Sequence, residues 1–305
     1  MNLQQLEYFV RVAELGSFSK ASLVLRVAQS ALSRQVRSLE TDLRQTLFMR
    51  NGRGVCLTEA GNRLFEHSIG ILALVSRARE DMDSRRGEPG GRVVIGLPPS
   101  LSRHLTPLLV DTFQRELPNA RLVVVEGLST HIGEWIASGR VDVGLMHNPD
   151  AQAAIETTPI LEEELCLIGP APKNRRKRNG AGIPVAELPQ YPLILPEQSH
   201  VIRRFLDTQA ALSGIKLNIA WEVSSVPAIL DLVLAGRGYA VMSEHAVTAW
   251  DHAKKLETRP LVEPRMHSTL CLCIASHRKP SALARRSLRL LPELILKALA
   301  KPLRE

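Results

Sequence analysis

Residues 27–40 read "VAQSALSRQVRSLE", and the fold turns on whether this stretch is a helix and what it faces. Ala31, Leu32, Val36 and Leu39 recur at the three- and four-residue steps of an apolar helix stripe. Gln29, Ser30, Ser33, Arg34 and Arg37 fall on the other side, sharing a second face. The only acid, Glu40, stands near the end. A short helix so polar and basic on one side calls for an acidic surface to meet it.

The flanking segments give that helix a setting. Leu3, Leu6, Phe9, Val10 and Ala13 predict an earlier helix that Gly16 ends, and Ser17 or Ser19 can cap a second short helix over 19–27. So short a turn before residue 29 makes the two helices cross steeply, which is a helix-turn-helix. In "LFMRNGRGVCLT" (47–58) the pair Asn51-Gly52 predicts a type I′ hairpin, because both residues tolerate positive φ. Arg50 and Arg53 flank its tip and make it a basic wing. Thr58 can cap a long helix running to about Arg86. Phe65, Leu72, Val75 and Met82 form a heptad-like stripe on it, interrupted by Ser68 and Arg79. That stripe suits pairing with a second copy; the alternative is packing on the chain's own C-terminal region. "RRGEPGG" (85–91) breaks the helix and reads as a linker.

From Arg92 the pattern changes. Short β-branched runs at 92–96, 121–127, 141–146, 165–169, 192–196, 218–224, 239–243 and 270–275 alternate with helical stretches at 103–116, 130–138, 199–213, 225–235 and 281–299. The alternation predicts an α/β region with mainly parallel sheets, and its length predicts two lobes. "KNRRKRNG" (173–180) reads as a solvated basic loop.

Composition narrows the class. The 305 residues are 45% hydrophobic and 23% charged, which suits an ordinary globular protein, and the net charge of +8 favours an acidic partner, nucleic acid or a membrane surface, without choosing between them. The 4 cysteines, Cys56, Cys166, Cys271 and Cys273, have no metal-ligand spacing and read as reduced thiols, with Cys271 and Cys273 on one side of a strand. Neither a signal peptide nor a membrane span is visible, which predicts a cytoplasmic protein without a membrane partner. No GxSxG, HExxH, P-loop or dinucleotide fingerprint occurs, so no catalytic residue, metal or cofactor is expected. His104, His131 and His147 lie near strand ends and read as exposed or locally bonded.

A ligand site in such sheets lies beyond the carboxyl ends of the strands. Those ends are "PPSLS" (98–102), "GLST" (127–130) and "PEQSHV" (196–201), each placing a hydroxyl before a helix. Hydroxyls and free N–H groups there could hold a small anion or carboxylate, or could simply cap the helices.

"LEYFVRVAELGSFSKAS", "VAQSALSRQVRSLETDL", "LFMRNGRGVCLTEAG" and "GRVVIGLPPS" together resemble the LysR-type transcriptional regulators. The resemblance spans the chain, is most specific over residues 3–65, and leans toward the branch containing nitrogen-assimilation regulators. It implies a multidomain chain: an all-α winged helix-turn-helix domain at 1–58, a linker helix at 59–88, and an α/β two-lobed, periplasmic-binding-protein-like domain at 92–305. Lobe I would take about 92–163 and 267–305, lobe II about 164–266. The implied partners are double-stranded promoter DNA, a small-molecule effector, a second copy forming a homodimer that pairs to a homotetramer, and RNA polymerase. The effector role carries onto Ser100, Ser102, Ser129, Thr130, Ser199 and His200. Ser22 stands where the family usually has alanine, and Arg44 where it usually has glycine.

The chemistry of such a face follows from base edges. Gln29 can pair with adenine and Arg34 with guanine, while Ser30 and Ser33 reach bases or phosphates. Arg37, Arg50 and Arg53 suit phosphates or the minor groove. Two other functions remain open: a DNA-binding regulator controlled by abundance alone, and a cytosolic solute-binding protein or enzyme.

Overall fold

The computed structural model describes residues 1–52, 54–83, 91–172, 182–248, 250 and 252–300. The chain falls into two compact units, one N-terminal and one C-terminal.

The N-terminal unit starts with α1 (Leu3–Leu15), opened by a reciprocal bond between the Asn2 side chain and Gln5 and closed by Gly16 at φ 60. Its buried face is Leu6, Phe9, Val10 and Val12, while Leu3 is exposed and Ala13 half-buried, so the stripe sits slightly around from its expected position. Helix α2 (Phe18–Leu25) is capped by Ser17. The unusual Ser22 is buried and satisfied, its hydroxyl donating to the Ser19 carbonyl at 2.9 Å. Helix α3 (Gln29–Leu43) buries Leu32, Val36 and Leu39. Ala31 is exposed, a correction to the expected anchor set. Phe48 bridges the helices, its ring 5.3 Å from Phe9 and 5.7 Å from Phe18.

The hairpin pairs β1 (Phe48–Asn51) with β2 (Gly54–Leu57), and Asn51 lies opposite Gly54. The tip therefore falls one residue later than Asn51-Gly52. Tertiary contact explains the shift: Val55 N–H bonds the Gly16 carbonyl at 3.0 Å, and a Cβ on Gly54 would meet that oxygen at 2.4 Å. Docking on the end of α1 thus sets the register over local turn preference. Glu40, the lone acid of the opening stretch, accepts from the Leu47 N–H at 2.8 Å and the Phe48 N–H at 3.3 Å, tying α3 to the start of β1. Thr58 caps α4 (Glu59–Asp83), accepting from the Gly61 N–H at 3.0 Å. Phe65 and Leu72 of the heptad-like stripe pack with Leu64 and Ile69 on the core of this same unit. Among the described side chains of α4, the large apolar ones that are exposed are instead Ile71 and Leu74. The Met82 side chain and the linker 84–90 lie outside the described residues.

In the C-terminal unit, β3 (Gly91–Leu97) pairs in parallel with β4 (Ala120–Glu126) and β5 (Val143–His147). Strand β6 (Ile155–Pro170) is long: its first part pairs antiparallel with β12 (His267–Ala275), and its end pairs antiparallel with β10 (Ala240–Ser243) and β11 (Leu256–Val262). It runs from lobe I into lobe II, and the chain returns where β11 passes into β12. Lobe II adds β7 (Ile183–Pro184), parallel to β11, and the parallel pair β8 (Leu193–Leu195) and β9 (Ile219–Glu222). The sheets are therefore mixed rather than mainly parallel, because the strands joining the lobes run against their neighbours.

Period-2 burial divides each sheet. In lobe I, Val93, Ile95, Leu270 and Leu272 face α5 (Pro99–Glu116) and α10 (Ala282–Ala300). Val94, Cys271 and Cys273 face α6 (Ser129–Ser138). The two thiols do share a side, and burial pushes Cys273 up to about 12, far from a reactive thiolate. In lobe II, α7 (Val201–Leu212) packs against the face carrying Leu165, Leu167 and Val241, while α8 (Val226–Leu234) and α9 (Glu244–Thr248) cover Cys166, Ile168 and Met242. Residues 173–180 lie outside the described residues.

Candidate functional site

The structure presents two polar sites of different construction, one in each unit.

The first is the outer face of α3. Gln29, Ser30, Arg34 and Arg37 are exposed, and Ser33 is half-buried. Gln29 Oε1 accepts from the Ser19 hydroxyl at 3.3 Å, which steadies it against α2. Arg34, Arg37 and the exposed Arg50 of β1 form no ion pair with described residues, whereas Arg11 and the N-terminal amine are paired with Glu14 and Asp42. Exposed guanidinium groups without counter-charges keep a field available for an anionic partner. Arg53 lies outside the described residues. Ala31, between Ser30 and Arg34, belongs to this face and was hidden from the sequence reading by its apolar character.

The second is a cleft between the lobes. It is lined by Pro98, Pro99, Ser100, Leu128, Ser129, Thr130, His147, Leu165, His200, Val201, Ile202, Ser224, Val226, Met242, Ser243, Ala246 and Ser268. Its free volume of about 60 Å³ holds a small molecule the size of a few waters. Ser100, Ser129, Thr130 and His200 of the six expected residues meet here. Ser102 lines an adjoining groove with Arg103, Glu126 and Trp250, and Ser199 lines neither. The helix-capping alternative holds for His200, whose Nδ1 accepts from the Ile202 N–H at 3.2 Å. Burial, with His147 and Arg204 nearby, pushes the His200 ring down to about 4, so it is neutral at pH 7. The Ser129 oxygen instead accepts from the His147 N–H at 3.0 Å.

His147, Glu163, Ser243, His245 and Ser268 are the members that sequence reasoning missed. His147 stands at the end of β5, with Nε2 3.2 Å from Ser100 Oγ and Nδ1 3.4 Å from both Ser268 Oγ and Glu163 Oε2. Burial holds its ring below the ordinary imidazole value, and Glu163 only partly offsets this. Glu163 is 3% exposed, on β6 where that strand passes from one lobe to the other. Its Oε1 lies 3.0 Å from His245 Nδ1 on α9. Burial pushes the Glu163 carboxyl up, but bonds from His245 and Ser243 and the nearness of His147 outweigh it, leaving it ionised at pH 7. The bond to Glu163 raises His245 above its ordinary value despite burial. The lining itself contains no lysine, arginine, aspartate or glutamate. Among the described residues no group of acidic, cysteine and histidine side chains could hold a metal ion.

The chain matches two family models: "Bacterial regulatory helix-turn-helix protein, lysR family" over residues 3–62 and "LysR substrate binding domain" over residues 86–295. It is 28% identical over 303 residues to the nitrogen assimilation regulatory protein nac of Klebsiella aerogenes, covering 99% of this chain and 96% of that one. Among solved structures, a full-length OxyR variant from Pseudomonas aeruginosa superposes with a TM-score of 0.70 at 24% identity, over 99% of this chain and 97% of that one. CbnR complexed with its target DNA gives 0.68 at 23% identity, over 98% of this chain and 100% of that one. Both structures share the fold.

Proposed function

The chain belongs to the LysR family of bacterial DNA-binding transcriptional regulators, and from that membership we propose how its two polar sites divide the work. Helix α3 enters the major groove of double-stranded promoter DNA. Gln29, Ser33 and Arg34 read base edges, with Ser30 beside them, and the exposed Ala31 contacts a thymine methyl. Arg37, Arg50 and Arg53 hold the phosphate backbone and set the register. One such unit binds weakly at physiological salt, so α4 joins two copies and engages two half-sites, with further pairing to a tetramer. The exposed Ile71 and Leu74 support α4 as the pairing surface. Residues 1–58 act as the reading domain, 59–88 as the link and 92–305 as the sensor. The site of action is the cytoplasm, where bound RNA polymerase is the partner at the promoter.

The observation that carries this reading is the row Ser30, Arg34 and Arg37: exposed, on one face, and without ion pairs to described residues. Fluorescence anisotropy with the DNA upstream of its own gene tests it. Affinity is expected to fall steeply as salt rises, and Arg34→Ala to weaken binding. Wild-type affinity in Arg34→Ala overturns the assignment of the reading face.

The inter-lobe cleft takes the effector, against Ser100, Ser129, Thr130 and His200, with Ser102 and Ser199 at its margin. A ligand there alters DNA binding only by binding two lobe arrangements unequally. Thermal-shift screening against a metabolite panel checks this. Saturable stabilisation is expected, and its absence for every compound favours control by abundance.

A further inference from the structure

The strand ends around the cleft promise backbone N–H groups to an anion, but the residues there withdraw most of them. Helix α5 opens on Pro98 and Pro99, which have no N–H to give, and the N–H groups of Leu101 and Ser102 both bond the Pro98 carbonyl at 3.0 Å. At the start of α7, His200 Nδ1 takes the Ile202 N–H at 3.2 Å. At the start of α8, Pro227 supplies no N–H and the Ser225 hydroxyl takes that of Ala228 at 3.5 Å. An anion held at a helix start needs these groups unspent.

Charge tells against an anion as well. Among the described residues the lining holds no lysine, arginine, aspartate or glutamate, and burial keeps its two histidines, His147 and His200, neutral at pH 7. Arg204, beside His200, is paired with Asp150 at 2.9 Å, and Glu163, behind His147, with His245 at 3.0 Å. Glu163 Oε2, buried without a hydrogen-bond partner 3.4 Å from His147 Nδ1, repels a further negative charge. A cation fares no better, since it would leave water for a wall with no carboxylate in it.

What the cleft offers is two hydroxyls that bond no described residue: Thr130 of α6 in lobe I, and Ser224, between β9 and α8, in lobe II. The hydroxyls of Ser100, Ser129 and Ser268 are engaged with His147, and that of Ser243 with Glu163. Leu128, Leu165, Val226 and Met242 add apolar wall. The free volume of about 60 Å³ admits about four to six non-hydrogen atoms, at roughly 10–15 Å³ for each water-sized group.

We propose that the cleft selects an uncharged molecule of this size, of the short-chain amide or alcohol class, bonded to Thr130 on one lobe and to Ser224 on the other. The proposal rests on the reading of this cleft as the effector site and names the chemistry of that effector. Each hydroxyl both donates and accepts, so an amide can present its carbonyl oxygen to one and its N–H to the other. Its alkyl part lies on the apolar wall, and no charge is taken out of water. A molecule bonded to both lobes favours the arrangement in which Thr130 and Ser224 face the same space, and so binds two lobe arrangements unequally.

Thermal shift and isothermal titration of the full-length protein with pairs matched in size test this: propanamide against propionate, lactamide against lactate, and propylamine as the cationic arm. Saturable stabilisation by the amides is expected, with the carboxylates and the amine at least about tenfold weaker. Thr130→Val and Ser224→Ala should each weaken amide binding about five- to tenfold, the loss of one hydrogen bond. Because neither hydroxyl bonds the fold, both variants should keep the wild-type unfolding midpoint in the absence of ligand. Amide binding that is unchanged in both variants overturns the assignment. Binding of the carboxylates or the amine as tight as that of the amides overturns the uncharged class and leaves the effector reading standing. Absence of stabilisation by these compounds and by every member of the metabolite panel removes both.

Discussion

The reading face of α3 and the inter-lobe cleft are both polar, yet they are built in opposite ways. The α3 face comes from nine consecutive positions, 29–37, and its guanidinium groups are exposed and unpaired with described residues. The cleft draws on Ser100, Ser129, His147, Glu163, His245 and Ser268, scattered along the chain and buried or half-buried, most of them bonded to one another. The first holds its interaction energy for a partner. The second has spent most of its own on internal bonds, so a ligand must exchange one set for another. Substitutions should therefore separate the two: losses at the cleft show in stability, losses at α3 only when DNA is present.

The largest expected effect is at the cleft. Glu163→Ala leaves His245 Nδ1 and the Ser243 hydroxyl without their buried partner. Removing one partner of a buried pair costs about 3 kcal/mol, and urea unfolding of the C-terminal unit measures it. An unchanged unfolding midpoint would show that the network is not structural. The counterpart, Arg34→Ala, should leave the unfolding midpoint unchanged and lose about 1–3 kcal/mol of preference for the cognate site over mismatched DNA. Arg37→Ala should instead weaken all sequences alike and reduce the salt slope by about 1. Were Arg34→Ala and Arg37→Ala to behave identically, the division between base reading and phosphate holding would collapse.

A smaller effect sharpens the contrast through pH. His245 is raised in the fold, so its contribution is fully present below the ordinary imidazole value and disappears as pH climbs through the raised one. Glu163 is lowered, so its contribution is present above the ordinary carboxylate value and disappears as pH falls through the lowered one. His147 works the other way, opposing stability as pH drops below its ordinary value. The stability difference between wild type and His245→Gln should thus be greatest below the ordinary imidazole value and shrink as pH climbs through the raised His245 value.

The same contrast governs what was legible beforehand. Helix spacing, the Ser17 cap, the Gly16 stop and the short turn before Gln29 are local, and they suffice for the helix-turn-helix. The fold class followed from these and from the strand–helix alternation. Where a distant contact overrode a local signal, the reading slipped: the hairpin tip moved because Gly54 must pass against Gly16, and Ala31 turned outward although it is apolar. The first part of β6 was missed because "EEE" at 162–164 looks solvated. Yet Glu163 alternates with exposed Glu162 and Glu164 and shares its face with Leu161 and Leu165, a period-2 pattern that marks the middle acid as the inward one. His147 was marked only by its place near a strand end and His245 not at all, since only the meeting of the two lobes brings them to that acid.

The smallest expected effect lies within the N-terminal unit, at the end of α3. Helix α1 ends on Gly16 at φ 60, and α3 ends on Arg44 at φ 51. The Arg44 N–H bonds the Thr41 carbonyl and the Gln45 N–H bonds the Glu40 carbonyl, both at 3.1 Å, so both helices stop in the left-handed conformation that glycine suits. A side chain there costs roughly 1–2 kcal/mol, offset in part by the greater freedom glycine has when unfolded. Arg44→Gly should therefore raise stability by about 0.5–1 kcal/mol. Arg44→Ala is the control: it removes the same charge, keeps the strain, and should gain nothing. Because Arg44 lies beyond the row 29–37, affinity for the cognate site should stay unchanged in Arg44→Gly; a weakened complex would place Arg44 among the phosphate contacts and extend the reading face past the end of α3.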